Sequence, residues 1–200
     1  GGTSITNATA FLNTGTLALG DAAADILLFS GGVTATDPSG VTLNGQLRTA
    51  GNAVSLGDAG TAVTLAGTTS IIDTTNAGGV AAGAGITLGG AVAGTVANTQ
   101  SLTLNAGTGG VIGASSTIGT GTSLATLTVT NSGGATFTGA VTTGTSVVLT
   151  DTTDAANITF TGALTTPTLT TAAQAYDLDL HGGGTSITNA TAFLNTGTLA

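Results

Sequence analysis

The chain contains no cysteine, lysine, glutamate, methionine or tryptophan, and only two prolines. Without cysteine there are no disulfides and no thiolate metal sites, so packing and hydrogen bonds must carry stability alone. A single cation, Arg48, stands against nine aspartates, giving a net charge of −8. Such a chain has no basic surface for nucleic acid and is repelled by anionic membranes. Charged residues make up 5% of the sequence, against roughly 25% in ordinary globular domains, and none lies between Asp73 and Asp151. Hydrophobic residues make up 40%, so the low-hydrophobicity, high-charge signature of disorder is reversed and order is expected. Exclusion of charge has a physical reason in a stacked β structure. Equivalent side chains about 4.8 Å apart repel by roughly 1 kcal/mol per like-charged pair even in water. Threonine and asparagine ladders carry no such cost and can hydrogen-bond along the stack.

Membrane insertion is not expected. Residues 78–97 are uncharged and of spanning length, but glycine and alanine supply most of them. Five phenylalanines and one tyrosine do not make the aromatic girdles of a membrane β-barrel.

What is present is repetition. Residues 1–18, GGTSITNATAFLNTGTLA, return letter for letter as residues 183–200, an offset of 182. Residues 1–182 therefore read as one full tandem unit and 183–200 as the opening of the next, within a longer polypeptide. A shorter period lies inside. TFTGAVTT from Thr136 returns as TFTGALTT from Thr159, with weaker copies from Val41, Val63, Ile86 and Gly109. Aligned on Gly45, Gly67, Gly90, Gly113, Gly139 and Gly162, they place Leu43, Leu65, Leu88, Val111, Phe137 and Phe160 in one column. Apolar residues alternate with threonine around each glycine, the pattern of a strand with one buried face. Glycine, asparagine, aspartate and serine separate the runs, as corners require.

The expected fold is all-β: a parallel β-helix, or β-solenoid, with about 23 residues per coil and about eight coils per 182-residue unit. Leu43, Leu65, Leu88, Phe137 and Phe160 are expected to stack in one interior column. The two 18-residue copies are expected to adopt one conformation, related by about 38 Å of translation and a modest rotation. The stretch before Val41 is less regular and its register is open.

The runs ITFTGALTT, LTLNAGTGG and GTLALGDAAAD resemble the β-strand repeats of giant bacterial surface proteins, in the style of filamentous haemagglutinin and autotransporter passenger regions. The resemblance implies a secreted, very long solenoid at the cell surface, serving as an adhesin stalk or fibre. Its partners would be its own stacked repeats and a host or neighbouring cell surface.

Chemistry-bearing residues are few. Asp21 with Asp25 and Asp151 with Asp154 are the calcium candidates, since calcium takes oxygen ligands from loop carboxylates. The glycine-aspartate nonapeptide of calcium β-rolls is absent, and an aspartate just after a strand is expected to close a corner turn. His181 is the one histidine and is expected at a corner. Thr-x-Thr pairs raise an ice-binding reading, but the partners after Thr42, Thr64 and Thr87 are Asn44, Ala66 and Gly89, which breaks the array. No catalytic set is visible, because polysaccharide chemistry on a β-helix needs clustered acids or bases. The chain is expected to be a structural protein without enzyme activity or a required cofactor. The alternatives are a lateral carbohydrate-binding surface and a self-assembling amyloid-like fibril.

Overall fold

The computed structural model describes residues 2–200, which form strands and turns with no helix. Every ladder between its strands is parallel. The chain is a β-solenoid of about eight turns, whose strands lie on three faces.

The first face holds Gly2–Ile5, Ile26–Phe29, Gln46–Arg48, Thr69–Asp73, Ser101–Asn105, Leu124–Asn131, Val141–Leu149 and Thr168–Thr171. The second holds Thr9–Ala10, Val33–Ala35, Val54–Leu56, Ile86–Leu88, Ile112–Ala114, Ala135–Phe137, Asn157–Phe160 and Asp177–Leu180. The third begins with Thr16–Leu19, Gly40–Leu43, Ala62–Leu65 and Val92–Gly94. It continues through a bridge at Ile118 to Val141, then to Leu164–Thr166 and Ser186–Ile187. The long strand Val141–Leu149 turns a corner and serves two faces, the third with its first residues and the first with its last.

Alternation sets the core. On the first face Thr3, Leu27, Leu47, Ile72, Leu104, Val129, Leu149 and Thr171 pair rung to rung. Their mean spacing along the chain is close to the expected coil length. On the second face the inward column runs Val33, Val54, Ile86, Ile112, Ala135, Ile158 and Leu178. These are aliphatic and buried, each valine, leucine or isoleucine contributing about 1.5–3 kcal/mol of hydrophobic stabilisation. Phe137 and Phe160 stack on adjacent rungs with ring centroids 4.8 Å apart and planes 14° from parallel.

The expected single column is in fact two. Leu43 and Leu65 pair on the third face, whereas Leu88, Phe137 and Phe160 lie on the second, with Ala114 between Leu88 and Phe137. All five are buried, but Val111 is 56% exposed. The cause is one long coil. Val54 pairs with Ile86 and Thr69 with Ser101, wider steps than any other in the solenoid, because residues 74–85 are inserted at a corner. The step from Gly67 to Gly90 therefore passes from the third face to the second. Gly139, Gly162 and Gly182 do stack, at the corner after the second face. A Cβ on Gly162 would collide with the Gly139 carbonyl, and one on Gly182 with the Gly162 carbonyl.

Residues 78–97 are divided between the inserted loop and the strands Ile86–Leu88 and Val92–Gly94. No described helix is long and apolar enough to cross a membrane. The stretch before Val41 follows the same three-face order: Leu27 and Phe29 belong to the first face and Val33 to the second.

The second copy of the 18-residue segment does not occupy the faces of the first. Ser4 and Ile5 pair on the first face with Leu28 and Phe29, but their counterparts Ser186 and Ile187 pair on the third with Thr165 and Thr166. Leu17 lies on the third face opposite Val41, but its counterpart Leu199 bridges Leu178 on the second. The expected modest rotation is thus a whole face.

Candidate functional site

The acidic residues sit mainly at corners, where a carboxylate can accept the amides that a turn leaves unpaired. Asp25 is buried and accepts the amides of Asp21 at 3.0 Å and Ala22 at 3.1 Å. The corner carboxylate is therefore Asp25, and Asp21 is exposed. Both line an open depression of about 460 Å³ with Gly2, Thr3, Gly20 and Leu27. Asp58 accepts the Gly60 amide at 2.7 Å. Asp73, also buried, accepts the Thr75 amide at 2.8 Å, the Thr75 hydroxyl at 2.6 Å and the Ala77 amide at 2.7 Å. Asp151 accepts the Thr152 amide at 2.8 Å, and Asp154 is exposed on the same corner. The fold brings Asp21 to Asp25 but leaves the pair Asp151 and Asp154 several coils away. Among the described residues no three His, Cys, Asp or Glu side chains gather where they could share an ion.

His181 is exposed just past Asp177–Leu180, and its amide donates to the Phe160 carbonyl at 2.9 Å. Asp179 lies on the same strand. Its carboxylate accepts Asn157 Nδ2 at 2.8 Å and the Thr159 hydroxyl at 3.3 Å from the adjacent rung. Asp177 accepts the Thr198 amide at 2.6 Å, which ties one coil to the next.

One polar constellation became visible only through the register. Arg48, Asp73, Asn105 and Asn131 occupy successive rungs at one corner of the first face. Asn131 Nδ2 then donates to Asp151 at 3.4 Å, which extends the column. A full coil separates each member from the next, which hides this column in the sequence. Arg48 Nη2 donates to Gln46 Oε1 at 2.5 Å.

Beside this column lies a second open depression, of about 380 Å³, lined by Thr75, Asn105, Thr108, Asn131, Asp151 and Gln174 among others. The inserted loop forms one wall: Thr108 and Gly109 donate their amides to the carbonyls of Ala81 and Ala82 at 3.1 and 2.8 Å. Thr153 ties a later coil to this wall by donating its hydroxyl to the Thr108 carbonyl at 2.6 Å. Asn131 Oδ1 is buried with no hydrogen-bond partner. The depression offers amides, hydroxyls and one carboxylate to a polar ligand, but no aromatic platform.

The first face also regroups the threonines. Its outward columns run Thr126, Ser146, Thr168 and Thr103, Thr128, Val148, Thr170. Val148 interrupts the hydroxyls, so the Thr array is broken here as well.

Comparison with known protein families, with curated proteins and with solved structures finds no match to this chain.

Proposed function

We propose that this chain is a structural repeat of a long extracellular β-solenoid fibre or adhesin stalk, supplying reach and resistance to proteolysis. The observation that carries this reading is the return of residues 1–18 as 183–200, seated on the preceding turn of chain by the same parallel pairing as the rest of the solenoid. A unit that stacks on its own successor extends a rod by repetition, and each coil needs only its neighbours. Scarce charge and zero cysteine suit such a rod, since both stability and register come from ladders and an aliphatic core. Function outside the cell, with the repeats themselves as first partners, belongs to the same reading.

Limited proteolysis tests it. Trypsin has one cleavage point, after Arg48, which is half-buried within the strand Gln46–Arg48. The native chain should survive prolonged trypsin and proteinase K, because cleavage requires local opening of paired strands. Rapid digestion to small peptides under native conditions would contradict the proposal.

The depression beside Asn105, Asn131 and Asp151 favours a second role, lateral adhesion to a carbohydrate or a neighbouring cell surface. Its amides and hydroxyls are groups that hydrogen-bond sugars. Glycan-array binding that disappears in Asn131→Ala supports this role, and binding unchanged by that substitution argues against it.

A further inference from the structure

We infer that this chain carries both halves of one end-to-end joint: the turn formed by residues 164–180 accepts residues 2–18 of another copy, in the register in which it holds 184–200, and each joint rotates the following unit by a third of a turn. The inference rests on the stalk reading and adds to it a partner, a register and a geometry.

The register supplies the rotation. The segment that opens the unit runs across the first, second and third faces in that order: Ser4 opposite Leu28, Thr9 opposite Val33, Leu17 opposite Val41. Its copy runs across the third, first and second. Ser186 pairs with Thr165, the Leu194 amide donates to the Thr171 hydroxyl at 2.7 Å, and Leu199 bridges Leu178. Every part of the copy has moved back by one face. One unit thus spans seven and two-thirds coils.

A single segment can serve both neighbours at once. Residues 184–200 bond the preceding turn through the amides of Thr188, Asn189, Thr196 and Ala200 and the carbonyls of Thr198 and Ala200. In the first copy these groups belong to Thr6, Asn7, Thr14, Thr16 and Ala18. Residues 2–18 bond the following coil through different groups, the amides of Thr9 and Phe11 and the carbonyls of Ile5 and Gly15. Parity agrees too. Ile5 lies against buried Phe29 and Ile187 against buried Thr166, while Leu17 lies against Val41 and Leu199 against Leu178, so the same side chains point inward in both copies. A one-residue slip would have reversed them.

A glycine records the missing neighbour. A Cβ on Gly197 would collide with the Tyr176 carbonyl oxygen and lie 2.6 Å from the Asp177 carboxylate. Its counterpart Gly15 faces open space, with nothing within 4 Å. Nothing in the first coil requires glycine there. The requirement arises once a turn like 164–180 stacks against it.

The geometry has a consequence for the fibre. Any lateral feature, such as the depression beside Asn131, moves to a different face with each unit and returns to the same side every third unit. Three units span 23 coils, roughly 110 Å at the ladder spacing. A fibre of these units presents its lateral features all round.

The test uses the full chain, which has no native cysteine to interfere. Thr165→Cys with Ser186→Cys should form an intrachain disulfide in high yield, because adjacent-rung partners meet bridging distances. Ala172→Cys with Ser186→Cys, the pair that a same-face register would bring together because Thr3 heads the column ending at Thr171 and Ser4 is one residue on, should not. Gly197→Val should then lift the tail and open the joint, producing linear oligomers seen by sedimentation and electron microscopy. Adding Gly15→Val should abolish those oligomers while leaving the circular dichroism of Gly197→Val unchanged. A disulfide between the cysteines at positions 172 and 186 would overturn the register. Equal oligomerisation of Gly197→Val with and without Gly15→Val would overturn the joint. Failure of the joint with an intact, protease-resistant monomer would leave the stalk reading standing.

Discussion

Phe160→Ala probes the solenoid core at its largest stacked contact. Phe160 is fully buried and lies flat on Phe137, with centroids 4.8 Å apart. Truncation removes its transfer free energy and leaves a cavity that parallel neighbours on both sides cannot fill, a loss of about 3–5 kcal/mol. The stacking share, about 0.5–1.5 kcal/mol, should appear as coupling in a double-mutant cycle with Phe137→Ala. Thr159, one residue away, points outward and gives up only a 3.3 Å bond to Asp179. Thr159→Ala should therefore cost about 1 kcal/mol or less. Denaturant unfolding followed by far-ultraviolet circular dichroism measures both. Hydrogen exchange adds position: protection should fall around Ala135–Phe137 and Asp177–Leu180 and persist around Ile26–Phe29. Equal costs for Phe160→Ala and Thr159→Ala would refute the inward and outward assignment, and uniform loss of protection would refute nearest-neighbour energetics.

Three further outcomes follow. Gly162→Val should destabilise by about 1–3 kcal/mol or more, since its Cβ would press on the Gly139 carbonyl, whereas Gly113→Ala, with nothing within 4 Å, should be neutral in the same unfolding assay. Tyr176 is buried, donates to the Leu149 carbonyl at 3.2 Å and accepts the Ala172 amide at 3.2 Å; burial pushes its phenol above the ordinary value. The unfolded phenol loses its proton first, so stability should hold up to about pH 10 and fall above it, with a shallower alkaline slope in Tyr176→Phe. Chelation by EDTA should leave the β-type circular dichroism and melting temperature unchanged, because Asp25 already accepts backbone amides; a large drop would make ligands of Asp21, Asp25, Asp151 and Asp154.

Strand parity and coil length were legible because they depend on neighbouring letters. Thr42, Thr64, Thr87, Thr136 and Thr159 alternate with aliphatic residues, and each lies on a strand with its apolar neighbours buried. Face assignment was not legible, because all three faces use the same apolar, polar, apolar code. Leu65 and Leu88 look alike in sequence and sit on different faces, since the insertion at 74–85 makes one coil longer than the rest. Likewise Leu-Gly-Asp pointed to Asp21 as the corner residue. The carboxylate that reaches back to the turn amides is Asp25, four residues further along the chain. The column from Arg48 to Asp151 depends wholly on register, and no local signal marks it.

On the stalk reading, repetition of this sequence lengthens one continuous rod. Cryo-electron microscopy of chains carrying one, two and three units measures this directly. Each added unit should lengthen the rod by about 37 Å, which is seven and two-thirds coils at the ladder spacing, at constant width. Units folded side by side, or a rod that widens without lengthening, would contradict it.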